Sequence, residues 1–225
     1  YSISQDDRRK WVTDTVDLLT NIAEEVTKNI TTKVILHNLE LPVHSPHGLV
    51  ENKEEYGFLE SVEDVNRALR DRFKNNNQIY IFDYNLFCSR LGKNNVFDYK
   101  MYYMGDLKLS PIYIPLLGVE YARYIRPLIS LSKKCIVLDL DNTLWGGIVG
   151  ESGIEGIHLG PTPEGRPFME FQKHLLSLFK RGVILVVNSK NNIEDALEVI
   201  RNHPHMVLKE KHFAAMRINW NDKVQ

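Results

Sequence analysis

Two aspartates, Asp139 and Asp141, follow the apolar run Cys135 to Leu138 in the stretch KKCIVLDLDNTLWGGIVGE, Lys133 to Glu151. Such a run has the pattern of a strand buried on both faces in a parallel sheet. In open α/β sheets ligands bind at the carboxyl ends of strands, which is where these acids fall. Residues two apart on extended backbone point the same way, so both carboxylates can address one site. Burying two acids unpaired is costly, which implies a cation beside them. Thr143 adds a hydroxyl, and Gly146 with Gly147 adds a permissive backbone. The bare D-x-D also fits a solvated acidic turn, or a glycosyltransferase that grips a nucleotide sugar.

The elements around the acids must hold them. Ile148 to Gly160, with glycines at 150, 153, 156 and 160, reads as a β-hairpin flap. A helix is expected from about Gly165 to Lys180, with Phe168, Phe171, Leu175 and Phe179 on its buried side and Arg181-Gly182 closing it. Val183 to Val187 (VILVV) is a second all-apolar strand, ending on Asn188, Ser189 and Lys190. Ile193 to Asn202 reads as a helix, Met206 to Leu208 as a short strand, and Phe213 to Trp220 as a connector leading to Lys223. Taken alone, Ser189 is a turn residue or helix cap and Lys223 a solvated surface group. The spaces after Asp141 and after Ser189 are too short for a large cap domain, so the site should be open.

The apolar run followed by DLDNT resembles the first motif of the haloacid dehalogenase (HAD) superfamily of aspartate-based phosphotransferases. The longer string LDLDNTLWGGIVGE, with GIHLGPTPEG after it and NSKNN further on, is similar to the FkbH-like branch. The resemblance implies a HAD-like parallel sheet with helices on both faces, Mg2+ as cofactor, and phosphatase or phosphotransferase chemistry on a small phosphorylated substrate. Within it Asp139 is nucleophile and metal ligand, and Asp141 is general acid and base. Asp141 also serves the metal, through its backbone carbonyl. Thr143, Ser189, Lys190 and Lys223 hold the phosphoryl group. The branch further implies glyceryl transfer from 1,3-bisphosphoglycerate to the phosphopantetheine thiol of an acyl carrier protein, in polyketide-type biosynthesis. A plain phosphatase without acyl transfer and a non-catalytic carrier-docking fragment are the alternatives. The apolar strand ending in aspartate that supplies the family's remaining metal ligands does not occur before Gln225, so the domain is expected to be truncated before that fourth motif. Asn188 stands where family members often carry a cysteine.

In the first half, Trp11, Val12, Val16, Leu19, Ala23, Val26 and Ile30 recur at helical spacing. Lys33 to Leu39 reads as a strand, and a polar loop runs to about Glu60. Ser61 and Asp64 suggest a cap before a helix carrying Val62, Val65, Leu69 and Phe73, after which Gln78 to Phe82 forms the next strand. Strand, helix and strand of these lengths make a parallel βαβ unit. This lobe, residues 1–130, resembles the later part of an SGNH-hydrolase-like domain, with residues 131–225 as the phosphotransferase domain. The serine and glycine motifs of a working hydrolase are absent, and Asp98 is followed by Tyr99, Lys100 and Met101 with no histidine. The lobe therefore reads as a docking or structural module. Tyr99, Tyr102, Tyr103 and Met104 form either a contact surface or a packed loop.

A net charge of -1 gives no electrostatic case for nucleic acid or an acidic membrane surface. No apolar run reaches transmembrane length, and no signal peptide precedes Asp6. The cysteines, Cys88 and Cys135, lack metal-ligand spacing and fit a reducing cytoplasm. His44 and His47, beside Pro42 and Pro46, read as loop residues rather than a metal site.

Overall fold

The computed structural model of the chain describes residues 4–223. It divides into two compact units, one ending at Leu131 and one beginning at Ser132.

The first unit opens with helix α1 (Gln5–Asn29), N-capped by Ser4, whose hydroxyl oxygen accepts from Asp7 N. Strand β1 (Val34–His37), helix α2 (Phe58–Phe73) and strand β2 (Ile79–Phe82) form the βαβ unit, and β1 pairs with β2 in parallel. Val12, Val16, Leu19 and Ala23 of α1 pack with Val65, Leu69 and Phe73 of α2 over this sheet. Helix α2 starts three residues before Ser61. Gly57 is the cap, Glu60 accepts from Gly57 N, and the buried Ser61 hydroxyl donates to Phe58 O. Arg8, itself buried, donates to Glu54 and to Tyr56 O and meets His47, which also pairs with Glu54. That knot gives His47 a structural role. Helices α3 (Tyr84–Leu91), α4 (Lys93–Val96), α5 (Tyr99–Gly105) and α6 (Ile114–Leu128) complete the unit. Tyr113, Leu117, Tyr121 and Tyr124 close an aromatic core around Phe82, Phe87 and Cys88. The aromatic cluster on α5 is not a packed loop, since Tyr103 and Met104 are 81% and 74% exposed.

The second unit holds the parallel sheet β3 (Cys135–Leu138), β4 (Ile184–Ser189) and β5 (Phe213–Ile218), in the order β3-β4-β5. Helices α7 (Val149–Gly156), α8 (Arg166–Lys180) and α9 (Ile193–Asn202) connect the strands. Leu138, Leu185 and Val187 meet Leu175 of α8 and Ala196, Val199 and Ile200 of α9 in one core.

Four expectations change here. The stretch after Ile148 is helical, kinked at Gly153 (φ +65°), and its hairpin character is confined to one antiparallel bridge between Gly146 and His158. Strand β3 is not buried on both faces: Cys135 and Val137 are exposed, because no described helix covers that side. The connector after Phe213 is strand β5, whose Phe213 and Ile218 face the core while Ala214 and Ala215 face solvent. Met206 to Leu208 is not a strand, because Val207 N and Leu208 N donate to Gln172 Oε1, at 2.9 and 3.1 Å, in place of a ladder.

Gln172 is fully buried on α8, where Phe171 is 40% exposed in place of the expected burial. Its Nε2 donates to Leu144 O at 2.7 Å, tying α8 to the loop that follows the acids. Gln172→Leu keeps the volume and orphans these groups, each worth about 1–3 kcal/mol when left buried and unpaired. The expected loss is about 2–4 kcal/mol of unfolding free energy in urea. Wild-type stability would show that Gln172 is not the staple.

Candidate functional site

Asp139 and Asp141 emerge from the end of β3 onto a tight turn. Thr143 N and Leu144 N both donate to Leu140 O, and Asn142 takes a left-handed φ of +54° while its side chain accepts from Gly147 N. The two glycines of the turn serve different ends. A Cβ on Gly146 would stand 2.7 Å from the Phe168 ring, whereas Gly147 has φ +91°.

The Asp139 carboxylate gathers donors from three segments. Ser189 Oγ donates to Oδ1 at 2.6 Å, Leu140 N to the same oxygen at 2.8 Å, and Lys223 Nζ to Oδ2 at 2.5 Å. Partial burial pushes the Asp139 pKa up, but the Lys223 ammonium, the Ser189 hydroxyl and Leu140 N together bring it below the ordinary carboxylate range. Ser189 is buried at the last residue of β4.

Lys223 is delivered by β5, whose pairing with β4 ends at Ser189 against Ile218. Asn219 N then donates to Ser189 O, and Asn188 Nδ2 to Lys223 O at 3.2 Å, holding the loop against the strand end. Lys190 does not join the acids. Its ammonium pairs with Asp222 at 3.1 Å, so it anchors the loop that carries Lys223.

Asp141 makes a different set of bonds. Trp145 Nε1 donates to its Oδ1 at 2.8 Å and Val149 N to the same oxygen at 3.2 Å, while Asn191 Nδ2 donates to Oδ2 at 2.9 Å. Trp145 and Asn191 are buried, and neither was singled out from the sequence. A signal was available: Trp145 lies four residues beyond Asp141, and a buried indole N–H needs an acceptor. Thr143 is half-buried and its hydroxyl has no partner among the described residues.

For a cation, Asp139 offers its carboxylate. The side-chain oxygens of Asp141 accept from Trp145, Val149 and Asn191, and its backbone carbonyl is the donor expected of it. Among the described residues no group of three or more acidic, histidine or cysteine side chains forms a metal cage. A carboxylate and a carbonyl suit a hard ion that keeps most of its waters.

In the first unit the polar side chains singled out from the sequence have local partners among the described residues. Asp98 caps α5 by accepting from Met101 N, and Asp83 caps α3 while accepting from Asn38 Nδ2. His37 meets the Tyr121 hydroxyl at 2.7 Å, and burial pushes its pKa down. Cys88 is buried in the aromatic core, which pushes its thiol up. No described helix is long and apolar enough to cross a membrane.

The depressed Asp139 pKa generates a prediction. A carboxyl whose folded pKa lies below its unfolded value of about 3.9 stabilises the fold above that pH. The contribution fades as pH falls through the folded value. The stability difference between wild type and Asp139→Asn should therefore be constant from pH 7 to about pH 5 and move against wild type by pH 3. A difference that stays flat through pH 3 in denaturant titrations would contradict the assignment.

No family model matches the chain, and no curated protein matches it. A solved structure does: the crystal structure of the N-terminal part of the protein BF1531 from Bacteroides fragilis, containing a phosphatase domain complexed with Mg. The two chains are 30% identical, with a TM-score of 0.87 across 99% of the present chain. The present chain spans 58% of the length of that structure. The architecture of parallel sheets and connecting helices, without a large cap among the described residues, is that of a HAD-like phosphatase domain.

Proposed function

We propose that the second unit is a Mg2+-dependent, aspartate-based phosphatase that acts on an acyl phosphate such as 1,3-bisphosphoglycerate. The observation that carries this reading is the convergence of Ser189 Oγ and Lys223 Nζ on the carboxylate of Asp139. The likeness to a Mg-complexed phosphatase domain supports both the chemistry and the ion.

The Asp139 carboxylate and the backbone carbonyl of Asp141 would hold Mg2+. When bound, the ion supplies positive charge to neutralise the phosphoryl oxygens. Phosphoryl transfer asks a protein mainly for positioning and for charge on those oxygens. Lys223 and Ser189 already lie against the nucleophile and can turn their donors to the incoming group, and the hydroxyl of Thr143, on the turn after the acids, is assigned to the same group. An Asp139 oxygen attacks phosphorus, and the bond to the acyl carboxylate breaks, that carboxylate leaving with the electron pair. Water then attacks phosphorus, the bond to Asp139 breaks, and the proton of the water passes to Asp141. Lys190, paired with Asp222, is assigned to holding the loop that carries Lys223 and is given no part in either step.

The finer proposal is that, as an alternative to attack by Asp139, the phosphopantetheine thiol of an acyl carrier protein attacks the acyl carbon of the intact acyl phosphate held at this site: the thiol gives up its proton, the glyceryl thioester forms, and the carbon–oxygen bond breaks with inorganic phosphate leaving with the electron pair. Neither cysteine of the chain suits a covalent acyl relay. Cys135 lies at the far end of β3, about 13 Å from Asp139 by the rise of a strand. Cys88 is buried in the other unit. The carrier must then supply the accepting thiol itself, and this lack of a local thiol favours plain phosphatase action as the second reading.

Incubation with acyl phosphate labelled on phosphorus tests the chemistry. Asp139→Asn should take up no label, because an amide cannot serve as the nucleophile. Asp141→Asn should become labelled, since the acyl group leaves without protonation, and should lose its label about 10²- to 10⁴-fold more slowly than wild type. Label on Asp139→Asn would overturn the nucleophile assignment. Adding carrier protein separates the two readings: a glyceryl mass on the carrier supports transfer, and phosphate release without it supports the plain phosphatase.

A further inference from the structure

We propose that Trp145 and Asn191 are positioning residues that fix the carboxylate of Asp141 and reserve its Oδ2 as the oxygen that takes the proton of the attacking water. This rests on the phosphatase reading above and names the groups that govern its second step.

The two oxygens of Asp141 are held unequally. Oδ1 receives Trp145 Nε1 and Val149 N. The indole is fully buried and has Asp141 as its acceptor, so rotating Oδ1 away would strand a buried donor. Oδ1 is thus a fixed pivot, and its two bonds saturate it. Oδ2 receives one N–H, from Asn191. The Asn191 amide is itself oriented, because its Oδ1 accepts from Asn192 N at 2.9 Å and so turns the NH2 group toward Asp141. Because the carboxylate is planar, holding Oδ1 also places Oδ2, and Asn191 locks the group from its other side; a single neutral N–H leaves Oδ2 capacity to accept a proton.

The placement of Asn191 ties this to the nucleophile. Ser189 donates to Asp139, and Asn191, two residues later on the same strand end, donates to Asp141. Two acids two residues apart on one strand end are therefore matched by two donors two residues apart on its neighbour. One short segment orients both partners in the reaction.

The test uses the full chain in Mg2+ buffer with phosphorus-labelled acetyl phosphate, and follows label on the protein for wild type, Asn191→Ala, Asp141→Asn and the double variant. Label on Asn191→Ala is expected to decay at least about tenfold more slowly than on wild type, a part of the full worth of a positioned base. In the Asp141→Asn background the same substitution should change the decay by less than about twofold, since a residue that acts through Asp141 has nothing left to act on. Additive slowing in both backgrounds, or decay at the wild-type rate in Asn191→Ala, would overturn the proposal. Asn191→Asp is close in size and replaces the donor by a repelling oxygen. It should show the same slowing, and it decides the matter if the alanine variant does not fold. A second readout needs no turnover. The Trp145 indole N–H resonance should move in Asp141→Asn and hold in Asn191→Ala, and movement in neither would refute the pivot. Wild type that takes up no label would instead sink the phosphatase reading, and this proposal with it, whereas labelled wild type with unaltered variants sinks this proposal alone.

Discussion

Two carboxylates at the end of one strand are partly withdrawn from water, and the second unit is organised around supplying the donors that compensate that cost. Asp139 is answered by Lys223, Ser189 and the backbone, and Asp141 by Trp145, Asn191 and the backbone. The first set contains the only full positive charge directed at either acid among the described residues. The asymmetry suits different duties. A nucleophile gains from a movable ammonium that can pass to the phosphoryl group, and a proton acceptor gains from a fixed frame.

The supporting elements follow from that demand. Strand β5 brings the loop with Lys223 alongside β4, and Lys190 with Asn188 fastens the loop there. Gln172 fastens the turn after the acids to the segment before β5, so both approaches to the site are tied to α8. Within the second unit α7 is a short kinked helix, and no cap-sized insertion occurs among the described residues.

Much of this was legible in the residues. The apolar runs before Asp139 and before Ser189 gave β3 and β4, and the helical spacing of Leu175 and Phe179 gave α8. Ser189 and Lys223 became readable only through the family resemblance, since neither residue type carries information alone. Trp145 and Asn191 were missed because a tryptophan after a strand reads as core and an asparagine in NSKNN reads as turn chemistry; their meaning lies in the long-range bonds to Asp141. Strand β5 was missed because FAAMRI alternates poorly, with two adjacent exposed alanines where its pairing with β4 shifts register. The glycine-rich stretch misled in the opposite sense. Its glycines suggested a hairpin, but Gly153 supplies the positive φ that joins two helical turns.

The most direct measurement is a crystal structure of the chain grown with Mg2+ and beryllofluoride, a mimic of an aspartyl-phosphate. The account predicts beryllium bonded to a carboxylate oxygen of Asp139, with Lys223 Nζ and Ser189 Oγ moved onto its fluorines and Asp141 still held by Trp145. Beryllofluoride seated elsewhere, or Lys223 remaining on an unmodified Asp139 at saturating concentration, would contradict it.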